Sequence, residues 1–78
     1  METTFKIVLQ GRVQGVGFRP FVYRQAQAFQ VRGTVSNNEE GVIIRATGPR
    51  DRLMGFYQSV SESPPPVARV ITHYFEEI

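Results

Sequence analysis

The hydrophobic period of this chain switches between two and about 3.6 along its length, and the order of the switches leaves few possible folds. Residues Phe5 to Val13 alternate, with Phe5, Ile7 and Leu9 on one side and Lys6, Val8 and Gln10 on the other. That is the pattern of a half-buried strand. From Arg19 or Pro20 to about Gln30 the period becomes helical, with Val22, Ala26 and Phe29 at i, i+4 and i+7. Pro20 stands where the first turn of a helix tolerates it. Alternation returns over Val31 to Ser36. Asn37-Asn38-Glu39-Glu40-Gly41 is turn chemistry, and Val42 to Thr47 reads as the return strand of a hairpin. Gly48-Pro49 interrupts, and Leu53, Phe56, Tyr57 and Val60 mark a second helix, with Asp51 near its start to suit the dipole. Ser63-Pro64-Pro65-Pro66 ends it, and Ala68 to Tyr74 is a last β-rich segment. The resulting order, β-α-β-β-α-β, predicts an α+β fold of the ferredoxin-like, split-βαβ kind, an antiparallel sheet with two helices on one face. Such a fold hosts many functions and decides none of them.

The stretch that carries chemistry joins the first strand to the first helix: Gly11-Arg12-Val13-Gln14-Gly15-Val16-Gly17-Phe18-Arg19. Its glycines allow a curl in which consecutive amide N–H groups point at one spot and form an anion-binding concavity. The N-terminus of the helix behind it adds partial positive charge. Arg19 closes the curl with a planar guanidinium that can grip two oxygens of one phosphate, which lysine cannot do. The local chemistry is that of a phosphate cradle.

Composition sets the outer limits. Seventy-eight residues suffice for one domain with one core, and at 41% hydrophobic and 12% aromatic residues a packed core is expected. No apolar run approaches the length of a membrane span. No charged leader precedes an apolar stretch, so no secretion signal is expected. There is no cysteine, which excludes a disulfide framework, a thiolate metal site and a cysteine nucleophile, and fits a reducing cytoplasm. The net charge of +2 is too small to argue for nucleic acid. Lys6 is the only lysine among nine basic residues, a bias that genomic composition can also produce.

The run Gly11 to Arg19 resembles the signature loop of the acylphosphatases. A second motif of that family resembles Val31-Arg32-Gly33-Thr34-Val35-Ser36-Asn37, at the expected distance and ending in asparagine. Gly41-Val42 and Gly48-Pro49 fall where the family has its hairpin glycine and its strand-end Gly-Pro. The resemblance extends from Phe5 to about Val70. Within it, Gly17-Phe18-Arg19-Pro20-Phe21-Val22-Tyr23-Arg24 is similar to the version found in the N-terminal acylphosphatase-like domain of hydrogenase maturation carbamoyltransferases, because free-standing members usually lack proline after the arginine. That version is associated with carbamoyl phosphate, whose carbamoyl group is passed on by downstream domains of a longer chain. Residues 1–78 would then form one acylphosphatase-like domain, either whole or excised from a longer protein. The family usually carries a further short strand after the segment that resembles Ala68 to Tyr74. Either it is lacking here or Phe75 to Ile78 is its remnant.

By this resemblance the partner is a small acyl phosphate, carbamoyl phosphate above all, and the reaction is hydrolysis of the carboxyl-phosphate bond. Arg19 binds the phosphoryl group, and the loop Gln14, Gly15, Val16, Gly17, Phe18 and Arg19 completes the cradle. Asn37 orients the attacking water. No metal and no cofactor is implied, and catalysis rests on positioning and preorganised positive charge. Gln14 either supports the loop or touches substrate. Arg12 and Arg24 are read as solvated or paired, His73 as a surface strand residue rather than a base, and Glu39-Glu40 and Glu76-Glu77 as solvated charge. Phe18, Phe21, Phe29, Phe56 and Tyr57 are read as core. RNA-recognition domains share the element order and carry a Gly-Phe-rich run, but on the third strand. Here the run precedes the first helix, and Val42 to Thr47 holds no aromatic residue.

Overall fold

The computed structural model describes residues 1–13 and 17–78. Its elements follow the expected order: β1 (Glu2–Arg12), α1 (Phe18–Phe29), β2 (Arg32–Asn38), β3 (Gly41–Pro49), α2 (Arg50–Glu62) and β4 (Arg69–Glu77). The four strands form one sheet in the order β2-β3-β1-β4, and every neighbouring pair is antiparallel. β1 and β2 therefore run the same way with β3 inserted between them, as the split βαβ arrangement requires.

Both helices lie on the face to which β1 contributes Phe5, Ile7 and Leu9 and β3 contributes Val42, Ile44 and Ala46. Against these pack Phe18, Phe21 and Val22 of α1 and Leu53, Phe56 and Val60 of α2. Fully burying side chains of this size is worth about 1.5–3 kcal/mol each, which makes this layer the main source of stability in so small a chain. Phe29 and Tyr57 are half-buried against the same cluster, so all five aromatic residues read as core are core.

The helices are tied to each other and to β4 by polar contacts at the rim. Ser59 donates from its hydroxyl to Oε1 of Gln25 at 2.6 Å, joining α2 to α1. The Tyr57 hydroxyl and Nδ1 of His73 lie 2.6 Å apart, joining α2 to β4. Arg50 pairs with Glu77 and stacks its guanidinium 5.4 Å above the Phe5 ring. His73 is an exposed strand residue, as read from the sequence. Glu77 differs from the expectation of free solvation, because β4 runs on past Tyr74 and brings it beside the start of α2. Phe75 to Glu77 continue β4, with Phe75 opposite Ile7 and stacked 4.5 Å from Phe5.

Several boundaries move. β1 begins at Glu2, and α1 begins at Phe18, one residue before the expected Arg19. Asn37 is strand, paired with Val42, rather than the first residue of the turn. The turn proper is Glu39-Glu40, closed by Gly41 at φ 123°, where a Cβ would meet the Leu9 carbonyl oxygen at 2.2 Å. Asn-rich sequence reads as turn when taken locally, but the edge position beside β3 extends the ladder to Asn38. Val8 is the other departure. It lies on the sheet face away from the helices yet is wholly buried, because the register sets it between Ile43 of β3 and Tyr74 of β4.

Candidate active site

The end of β1, the start of α1 and the end of β2 meet at one edge of the molecule. α1 enters through Gly17, whose φ of 75° and ψ of 21° are left-handed. A side chain other than glycine, or to a lesser degree asparagine, is strained there. The turn delivers Phe18 into the core and leaves Arg19 on the surface, in the first turn of the helix. The first four amides of a helix have no acceptor within it. Here Phe21 N–H makes the first helical bond, to the Gly17 carbonyl at 3.3 Å, and Pro20 has no N–H to satisfy. The amides of Gly17, Phe18 and Arg19 are thus the helix-terminal donors. No acidic residue occupies that first turn and no side chain caps it, so the positive end of the helix dipole is uncompensated by α1 itself.

Asn37 reaches the same place from β2. It pairs with Val42, which belongs to the core layer, so Asn37 occupies the helix-side face of the strand. Val13, Gly17, Phe18, Arg19, Pro20 and Asn37 line one cavity of about 140 Å³. Among the described residues, neither ion pair uses Arg19; those pairs are Arg32 with Glu2 and Arg50 with Glu77. Among the described residues, no carboxylate lines the cavity. A cationic guanidinium, a helix terminus and a neutral amide around a space without negative charge suit an oxyanion that needs one further polar partner.

The structure thus brings together Gly17, Phe18, Arg19 and Asn37 of the residues singled out in the sequence. Gln14, Gly15 and Val16 lie outside the described residues. Arg12 and Arg24 are exposed, the latter on a shelf beside the cavity with Arg19, Pro20, Tyr23 and Val35. Among the described residues, no three His, Cys, Asp or Glu side chains cluster to hold a metal ion, and no helix is long and apolar enough to cross a membrane. Phe18 and Phe21 are 2% and 8% exposed and cannot act as a base-stacking platform. Tyr23 and Val35, which flank the cavity, were not singled out from the sequence. The signal was present: Tyr23 is four residues after Arg19 on one helix face, and Val35 is two before Asn37 on one strand face.

The family model described as Acylphosphatase matches residues 5–78. The chain is 47% identical over 66 residues to the carbamoyltransferase HypF of Rhodobacter capsulatus, a match covering 85% of this chain and 8% of that protein. It is 41% identical to the acylphosphatase of Pseudothermotoga lettingae, over 100% of this chain and 86% of the relative. A crystal structure of full-length HypF in the phosphate- and nucleotide-bound form superposes with a TM-score of 0.94 at 33% identity, covering 100% of this chain and 10% of that one. The chain therefore spans about a tenth of the carbamoyltransferases it matches and most of the length of the acylphosphatase.

Proposed function

Because the chain belongs to the acylphosphatase family of hydrolases, we propose that it cleaves the carboxyl-phosphate bond of a small acyl phosphate at the cavity between α1 and β2. The observation that carries this reading is the convergence of Arg19 and Asn37 on one cavity at the N-terminus of α1. Arg19 holds the phosphoryl oxygens, assisted by the amides of Gly17, Phe18 and Arg19 and by the loop residues Gln14, Gly15 and Val16. The Asn37 side chain orients a water in line with the bond to be broken. The water oxygen forms a bond to phosphorus, the bond from phosphorus to the bridging oxygen breaks, and the acyl carboxylate leaves with the electron pair. The products are inorganic phosphate and a carboxylate, and the water proton passes to solvent. Much of the rate comes from alignment and from donors aimed at the charge of the transition state.

The likeness to HypF favours carbamoyl phosphate as the substrate, and with it a second reading of context. In that reading the chain acts as the acylphosphatase-like domain of a larger, cytoplasmic hydrogenase maturation carbamoyltransferase, with downstream domains as its partners. Phosphate release from carbamoyl phosphate and from benzoyl phosphate separates the readings. Turnover of both that collapses in Arg19→Ala and Asn37→Ala is the result expected of an acylphosphatase, and a preference for carbamoyl phosphate favours the carbamoyltransferase context. A folded wild-type chain that releases phosphate from neither would reject the catalytic reading.

A further inference from the structure

The cavity at Arg19 and Asn37 is the upper end of a longer cleft. Arg19 and Pro20 also line the adjoining shelf, whose other walls are Tyr23, Arg24 and Val35. Tyr23 and Val35 in turn line a groove of about 210 Å³ that continues between α1 and β2. The two walls keep step. Along α1, Arg19, Tyr23 and Ala26 follow one face, at about 6 Å for each four residues. Along β2, Asn37 and Val35 share a face about 6.6 Å apart. α1 runs opposite to β2, so both walls descend from the phosphate site together.

The groove is apolar where the site is charged. Its floor is Val22, Val31, Ala46 and Phe56, each less than a tenth exposed. Arg32 stands at its far side, but both guanidinium nitrogens are engaged by Glu2, at 2.9 and 2.6 Å. Arg45 also lines the groove, but it alternates with Ile44 and Ala46 of the core layer and so belongs to the opposite face of the sheet, and a polar occupant of the floor would lose its water without replacement. A neutral hydrocarbon gains by entering it.

We propose that the α1–β2 groove is an acyl subsite for an unbranched apolar chain, so that among carboxylic acyl phosphates those long enough to reach Ala26, about 10 Å along the helix from Arg19, are preferred to acetyl phosphate. This rests on the acyl-phosphate reading above. The cleavage step is unchanged, and the groove holds only the departing acyl group. Carbamoyl phosphate would fill the upper site and leave the groove empty.

The test compares kcat/KM for acetyl, hexanoyl and succinyl phosphate in the wild-type chain, Ala26→Phe and Tyr23→Ala, each confirmed folded by its thermal transition. The expected result is a hexanoyl-to-acetyl ratio of at least ~10, which burial of about two further methylenes supplies. Ala26→Phe, which fills the groove, should bring that ratio close to one. Tyr23→Ala alters an exposed wall and should lower it. An unchanged ratio in the folded variants, or equal use of hexanoyl and acetyl phosphate, would overturn the subsite while leaving Arg19-dependent cleavage intact. Preference for succinyl over hexanoyl phosphate would also overturn it, and would point to Arg24 on the shelf as the selector. Failure of the wild-type chain to cleave any of the three would overturn the subsite, and the acyl-phosphate reading falls with it only if carbamoyl and benzoyl phosphate are left intact as well.

Discussion

Arg19, in the first turn of α1, and Asn37, next to last in β2, line one cavity although a helix and most of a strand separate them in the chain. Neither is buried, and neither packs into the hydrophobic layer. Their juxtaposition follows from β3 lying between β1 and β2, which returns the end of β2 to the side where β1 hands over to α1.

Replacing Arg19 should therefore reduce activity without reducing stability. Arg19→Ala and Asn37→Ala are each expected to lower kcat about 10²–10³-fold, with urea midpoints close to wild type because both positions are on the surface. Arg19→Lys keeps the charge but loses the two-pronged grip. Inhibition by inorganic phosphate, measured in all three variants, should weaken in both Arg19 variants and remain nearer wild type in Asn37→Ala.

Gly17 is needed for its backbone rather than for space. A Cβ there meets nothing within 4 Å, yet φ is 75°. Gly17→Ala should cost about 1–2 kcal/mol through the left-handed conformation alone, and Gly17→Asn distinctly less. Chemical denaturation of the two variants measures this difference. Equal losses would mean that contact rather than conformation sets the requirement.

The helix layer has little reserve. Phe56 is 1% exposed and touches the groove floor as well as the core. Phe56→Ala should lose about 3–5 kcal/mol, a large share of the roughly 5–15 kcal/mol of a native domain. The urea midpoint should fall steeply, and activity should disappear with the fold rather than before it.

Alkaline pH should loosen the contact between α2 and β4. Burial, helped by the nearby Glu62 carboxylate, holds the Tyr57 phenol above its ordinary value. The folded chain binds this proton more tightly than the unfolded one. The associated stability is complete below about pH 10 and is lost as pH rises through the higher folded value. Tyr57→Phe cannot ionise, and it should flatten the fall in unfolding free energy above about pH 10. A wild-type and variant slope that coincide would assign the alkaline loss to other groups.

Much of this molecule is written in local periodicity. The alternation of Phe5, Ile7 and Leu9 and the helical spacing of Leu53, Phe56 and Val60 named both the elements and the faces that became core. The glycine run ending in Arg19 pointed to the proposed anion site from chain chemistry alone, since such turns and helix N-termini are made by neighbouring residues. Asn37 was singled out by family motif, while the local chemistry around it read as turn. It became strand because its partner, Val42, lies across a hairpin and extends the ladder.

The sequence by itself determined the element order, the core-facing residues and the residue types of the proposed phosphate cradle, because these depend on contacts within a few positions. Only the tertiary structure decided that Val8 is sealed on the open face between Ile43 and Tyr74. It alone joined Glu77 to Arg50 and aligned Tyr23 with Val35 below Arg19 and Asn37. Those relations depend on strand order and register, which are set by burying one shared layer, and no local pattern encodes which distant strand will lie alongside.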